Sequence, residues 1–190
     1  MAFPSCPFKP FDEQVPNSTE SHEWQIFFMQ CAYNLALEAW HQGEIPIGAI
    51  AVVNRQIVSR AYNQVEQKKN ACAHAEMQIL YDLFQQKRDW RLTDVHLYVT
   101  KEPCPMCSGA IFKSRVPKVI IGVYDRQQGC LGGCLNFNQH LKLYHCVEVA
   151  TEPLNGRCET LLKTFFKLRR NNNMLNLPPD HKAQILEHRS

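Results

Sequence analysis

The chain of 190 residues carries 21 Lys and Arg against 18 Asp and Glu, a formal charge of +3 with the histidines neutral. Its hydrophobic share of 45% is that of an ordinary globular protein, which argues against a disordered or fibrous chain; no run of ~18 apolar residues offers a membrane-spanning helix. Nine cysteines, an odd number, with no basic start followed by an apolar stretch, speak against a disulfide scaffold or a secretory leader and for a reducing, cytoplasmic setting.

Residues 1–21 are punctuated by Pro4, Pro7, Pro10 and Pro16 and read as a loosely ordered extension. Ser21 is placed to cap a helix over 22–42, in which Phe27, Cys31 and Leu35 recur at a spacing of four and Phe28, Ala32 and Ala39 widen the apolar face; Gly43 ends it. Two β-rich runs, 47–53 and 57–62, predict a hairpin. A loop over 63–70 leads to a helix that starts near 72–74 and runs to 86 with Met77, Leu80 and Phe84 as its buried stripe. Strands follow at 95–100, 118–123 and 146–149. A helix from Cys104 to about Lys113 separates the first two, and the three glycines of 129–133 require a loop. A last helix is expected over 155–170, then a tail over 171–190 marked by Asn171, Asn172, Asn173, Pro178 and Pro179. Strands alternating with helices imply one α/β domain, 22–170, layered around a shared sheet.

The chemistry gathers in Pro103-Cys104-Pro105-Met106-Cys107, taken with His74-Ala75-Glu76. Cysteines at i and i+3 share one face of a helix turn, and the positive end of that helix favours thiolate. With the His74 imidazole they make three soft or borderline donors, the number a catalytic zinc takes while leaving its fourth position to water. Zinc lowers the pKa of that water from about 15.7 to about 7, and Glu76 is the nearby carboxyl suited to carry its protons. H-x-E followed by P-C-x-x-C is the signature of zinc deaminases of nucleobases. Two blander readings stand beside it: a closed zinc cage completed by Cys72 or another residue, and His74 with Glu76 as no more than the start of a helix.

The match is wider than the signature. Gly43-Glu44-Ile45-Pro46-Ile47-Gly48-Ala49, Ala73-His74-Ala75-Glu76-Met77, Trp90-Arg91-Leu92, Leu97-Tyr98-Val99-Thr100, Glu102-Pro103-Cys104-Pro105-Met106-Cys107-Ser108-Gly109-Ala110, Ser114-Arg115-Val116 and Phe165-Phe166-Lys167-Leu168-Arg169-Arg170 together resemble the tRNA-specific adenosine deaminases over residues 24–170. The resemblance implies a cytidine-deaminase-like three-layer α/β/α sandwich with a central mixed sheet. It also implies a homodimer, one Zn²⁺ per chain, and hydrolysis of the wobble adenosine of a tRNA anticodon to inosine. Carried over by position, His74, Cys104 and Cys107 would bind the metal and Glu76 would shuttle protons during attack at C6. Asn63 would hydrogen-bond the flipped base, Ile45 and Pro46 would line its pocket, and Asp125 would touch the sugar of the neighbouring nucleotide. The sequence departs from the family at Asn70-Ala71-Cys72, at Lys101 (usually leucine) and at Cys130 and Cys134.

A stem-loop substrate needs contacts to phosphates and splayed bases. Lys113, Arg115, Lys118 and Arg126 form one basic group, and Lys163, Lys167, Arg169 and Arg170, beside Phe165 and Phe166, form another. Taken without the resemblance, such residues are more often a solvated face, and the two phenylalanines equally core. A free guanine or cytosine deaminase shares the zinc motif and needs no basic last helix; a structural zinc module that binds RNA would have no use for Glu76. Cys130 and Cys134, at C-x3-C with no histidine partner, are not expected to form a second metal site. His96, His140 and His145 read as core or surface residues, and Trp24, Trp40 and Trp90 as packing residues.

Overall fold

The computed structural model describes residues 4–140, 145–151, 154 and 156–175; the tail from 176 and the expected helix start at 155 lie outside them. In chain order the elements are α1 (Ser21–His41), β1 (Gly48–Val53), β2 (Gln56–Tyr62), a single turn α2 (Val65–Lys68), α3 (Ala75–Lys87), β3 (His96–Val99), α4 (Pro105–Lys113), β4 (Lys118–Ile121), a second single turn α5 (Phe137–His140), β5 (Glu148–Thr151) and α6 (Arg157–Leu175). The sheet order is β2-β1-β3-β4-β5. The pairs β2–β1 and β1–β3 are antiparallel, while β3–β4 and β4–β5 are parallel. The expected mixed central sheet is therefore present.

Strand alternation makes the layers, because successive side chains point to opposite faces. Ile50, Val52, Tyr98 and Ile120 meet α1 and α6 through Phe28, Tyr33, Trp40, Leu161 and Phe165. Ala49, Ala51, Leu97, Val99, Val119 and Ile121 face the other way, onto Ile79, Leu80 and Leu83 of α3 and Ile111 and Phe112 of α4. The result is helix, sheet, helix, as the resemblance implied.

Local details differ from expectation for physical reasons. Ser21 is the first residue of α1 and caps nothing; Glu20 holds the cap position without a side-chain bond. Asn54 and Arg55 both have positive φ, which closes the hairpin in two residues and lets β2 begin at Gln56. On α3 the buried row is Ala75, Glu76, Ile79, Leu80 and Leu83. Met77 and Phe84 are only half-buried, because the helix turns its 75/79/83 row to the sheet. Strand β5 begins two residues later than expected, since its register is set by pairing Glu148 with Lys118. Helix α6 continues through Asn171–Asn173, past the expected boundary at 170. Trp90 is not packed: it is 49% exposed, with the Arg91 guanidinium 4.3 Å above its ring.

The stretch before α1 has no regular element, yet it is tied down. Phe8 meets Trp40 and Phe11 meets Tyr33, both edge-on. The Asn34 side chain brackets Phe11, accepting its N–H at 2.8 Å and donating to its carbonyl at 2.9 Å. Trp40 donates its indole N–H to the Pro4 carbonyl at 3.0 Å.

Candidate metal centre and active site

Topology brings distant segments to one rim of the sheet. Gly48, at the start of β1, pairs with Tyr62, at the end of β2. Ala49 pairs with Val99, and Val99 with Ile121, at the ends of β3 and β4. Everything just before β1 or just after β2, β3 and β4 therefore emerges on the same side: Ile45 and Pro46, Asn63, the cysteine motif, and Asp125. In parallel-stranded α/β sheets this carboxyl edge is where ligands bind.

Two helix N-termini converge there. His74 is the cap residue of α3 and Cys104 that of α4, each with extended backbone, and Pro105 fits the first helical position because its missing N–H has no helical partner to lose. The His74 Nδ1 lies 3.4 Å from the Cys107 Sγ and 3.7 Å from the Cys104 Sγ, and the sulfurs are 3.6 Å apart. A tetrahedral zinc with bonds of about 2.3 Å to sulfur and about 2.0–2.1 Å to nitrogen has donor–donor edges of roughly 3.5–3.8 Å. The three donors fit that ion. Among the described residues no fourth donor joins them; Cys72 is exposed, so the closed cage built on it does not form.

The electrostatics suit a cation. The Cys104 thiol is pulled down to about 4, first by its hydrogen bond with Cys107 and then, against burial, by His74. Cys107 is pushed up by the same bond and by burial; a divalent ion takes thiolates as ligands, so its binding releases protons from such a pair. The hydrogen bond with Cys104 raises His74. Glu76 is 4% exposed, and burial drives its carboxyl above the usual range. It interacts with Cys107 and His74 without being a member of the donor set.

Residues 22–123 match the family profile of the cytidine and deoxycytidylate deaminase zinc-binding region, a span that holds all four of these residues. The chain is 41% identical over 140 residues to a tRNA-specific adenosine deaminase of Bacillus subtilis (strain 168), covering 74% of this chain and 87% of that protein. It belongs to that family, among its tRNA-specific adenosine deaminases. A second such enzyme, from Aquifex aeolicus, is 39% identical over 146 residues, covering 77% of this chain and 96% of its own. A solved structure from work on A-to-I editing by tRNA:A34 deaminases superposes with a TM-score of 0.68 at 28% identity, over 71% of this chain and 98% of the other.

Around the deaminase centre the remaining candidates fall into place unevenly. Asn63 is 3% exposed and donates from Nδ2 to Glu44 Oε2 at 3.0 Å, while Glu44 Oε1 accepts the Gln67 N–H at 2.7 Å. A carboxylate only accepts, so the amide orientation of Asn63 is fixed by its partner. Pro46 is buried and Ile45 half-buried. Asp125 is engaged by Lys101, Nζ to Oδ2 at 2.6 Å. On α6, Phe166 (36% exposed) and Arg170 line a groove of about 470 Å³ with Lys101 and Asp125. Lys167 and Arg169 are not among its lining residues. Phe165 is a correction: it is fully buried, edge-on to Trp40 at 5.1 Å, so it is core and not an RNA contact. The helix turns about 100° per residue, so the two adjacent phenylalanines point in different directions, and here Phe165 points to the core and Phe166 outward.

Sequence reasoning passed over two carboxylates. Glu44 is one. Glu102, 2% exposed, accepts N–H bonds from Asp125 (2.8 Å), Leu131 (2.8 Å) and Gly133 (2.9 Å). A Cβ at Gly129 or Gly133 would overlap this carboxylate, which explains glycine at both positions. The paired glycines were the available signal, but nothing in the sequence says which side chain they approach.

Proposed function

We propose that this protein hydrolyses adenosine to inosine at the wobble position of a tRNA anticodon, adding water at C6 and releasing ammonia. The observation that carries the reading is the three-donor group His74, Cys104 and Cys107 with Glu76 buried beside it, on a chain 41% identical to a tRNA-specific adenosine deaminase. Zinc, when held by the three donors, supplies hydroxide at neutral pH as the nucleophile.

The chain's own residues do the rest. Glu76 takes one proton from the attacking water and delivers it to N1 of the purine, then takes the second from the oxygen now on C6 and delivers it to the leaving amine; its raised pKa suits a group that must hold a proton between steps. Asn63, locked by Glu44, presents a fixed hydrogen-bonding edge to the flipped base. Ile45 and Pro46 form the apolar wall, and Asp125 meets the sugar next to the target. Phe166, Lys167, Arg169 and Arg170 hold the stem-loop. A homodimer and a cytoplasmic location belong to the same reading; light scattering of purified protein tests the first.

The deciding experiment offers zinc-loaded protein an anticodon stem-loop with adenosine at the wobble position and, separately, guanine, cytosine and cytidine. Inosine in the RNA supports the proposal. Turnover of a free base or nucleoside alone replaces it with a nucleobase deaminase.

A further inference from the structure

Lys101 sits between β3 and the cysteine motif, and its setting shows what it can do. The backbone on both sides is pinned: Thr100 donates its N–H to the Gly48 carbonyl and Glu102 to that of Val123. From this fixed point, Lys101 and Glu102 grip the same residue. Lys101 Nζ holds the Asp125 side chain, and Glu102 accepts the Asp125 N–H. The other Asp125 oxygen accepts the Gln127 N–H at 2.9 Å, so both oxygens already have donors. The Lys101 side chain remains 27% exposed. An ammonium has three N–H groups, and one is directed at Asp125.

The exposed part faces a groove beside the metal centre. Lys101 follows β3 on the rim that carries the cysteine motif, three residues before Cys104. The groove wall contains Tyr124 and Phe166, 39% and 36% exposed, with Asp125, Lys163 and Arg170. Its anions are occupied: Glu159 is paired with Lys163 at 2.7 Å, and Asp125 with Lys101. Counting Lys101, Lys163 and Arg170 against Asp125 and Glu159 leaves the wall with a net positive charge next to two aromatic faces. That combination suits a single-stranded nucleic acid, whose backbone follows cations while its bases stack.

Resting on the tRNA reading above, we propose that Lys101, aimed by Asp125, binds one backbone phosphate of the RNA strand entering the metal centre, a contact that an uncharged side chain at this position cannot make. Asp125 fixes the ammonium in place, so little side-chain entropy is lost on binding. Lys101 is thus a substrate-positioning residue that acts on affinity and leaves the chemical step alone.

The test compares zinc-loaded full-length enzyme, wild type, Lys101→Met, Lys101→Arg and the double variant Lys101→Met with Asp125→Asn, on the anticodon stem-loop at several salt concentrations. Zinc content is measured in each. One phosphate contact to a single strand changes the slope of log affinity against log salt by about 0.7, which between 1 M and 0.15 M salt is a factor of about four. Lys101→Met should therefore raise KM about fourfold at 0.15 M salt and flatten the slope by about 0.7, with kcat unchanged; Lys101→Arg should restore both. Replacing loop phosphates one at a time by neutral methylphosphonate should find one position that weakens wild type and leaves Lys101→Met unaffected. Wild-type KM and slope in Lys101→Met, or their return in the double variant, would overturn the proposal, the second by showing that lysine serves only to neutralise Asp125. A wild-type enzyme that makes no inosine in the stem-loop sinks the tRNA reading instead, so the two failures are distinguishable.

Discussion

Glu102→Gln tests whether a buried carboxylate organises the loop that carries Asp125. Oε1 accepts from Leu131 and Gly133, and Oε2 accepts from Asp125. Glutamine keeps one carbonyl oxygen for the first pair and turns an NH₂ toward the Asp125 N–H, leaving two donors face to face. The orphaned N–H costs about 1–3 kcal/mol, and the two surviving bonds fall from charge-assisted to neutral, about 1 kcal/mol each. Against that gross loss of about 3–5 kcal/mol stands the relief of no longer burying a charge, an opposing effect of a few kcal/mol. The donors win by a modest margin, about 2 kcal/mol, because three short bonds already replace the water the carboxylate gave up. For a chain of this size that is a fall in Tm of roughly 4–8 °C, read by thermal unfolding of the zinc-loaded protein. Zinc content should stay at one per chain, since the donors sit on α3 and α4, while KM for the stem-loop rises as Asp125 loses its place. A Tm and KM both equal to wild type would refute the assignment of Glu102 as the anchor of this loop.

Glu76→Gln should keep zinc and lose about 10²–10⁴-fold in turnover; a variant within tenfold of wild type would remove Glu76 from proton transfer. Cys104→Ala or Cys107→Ala, or chelation of wild type, should release the metal and lower Tm, because binding free energy is folding free energy at such a site; elemental analysis beside calorimetry checks it. Burial pushes the Asp125 carboxyl up, but Lys101 and the Gln127 N–H outweigh it and leave it below the ordinary 3.8. A carboxyl lowered on folding stabilises fully above its unfolded value and loses that contribution as pH falls through the folded one. Acid unfolding of Lys101→Met should therefore show a smaller loss of stability below 3.8 than wild type does. Deleting residues 1–20 should cost about 2–4 kcal/mol in urea unfolding, since it removes the Asn34 and Trp40 hydrogen bonds, each worth about 0.5–1.5 kcal/mol, and uncovers aromatic surface.

The sequence by itself determined the donor types and their chemistry. H-x-E and P-C-P-M-C are local patterns, and a helix N-terminus built around Cys104-Pro105 follows from the short-range preferences of proline and of the first helical turn. Apolar spacing placed α1, two β-rich runs the hairpin and the cysteine motif α4, each to within a residue or two. Tertiary structure decided what depends on contacts between segments far apart in the chain. Only packing against Trp40 makes Phe165 core while Phe166 stays outside. The register of β4 against β5, not propensity, places the last strand. The ties from Pro4 and Phe11 to α1 cannot be read from a proline-rich stretch. Glu44, Glu102 and the Lys101–Asp125 pair were hidden for the same reason: a charge is buried only when distant donors arrive to meet it, and a sequence records the charge but not the donors.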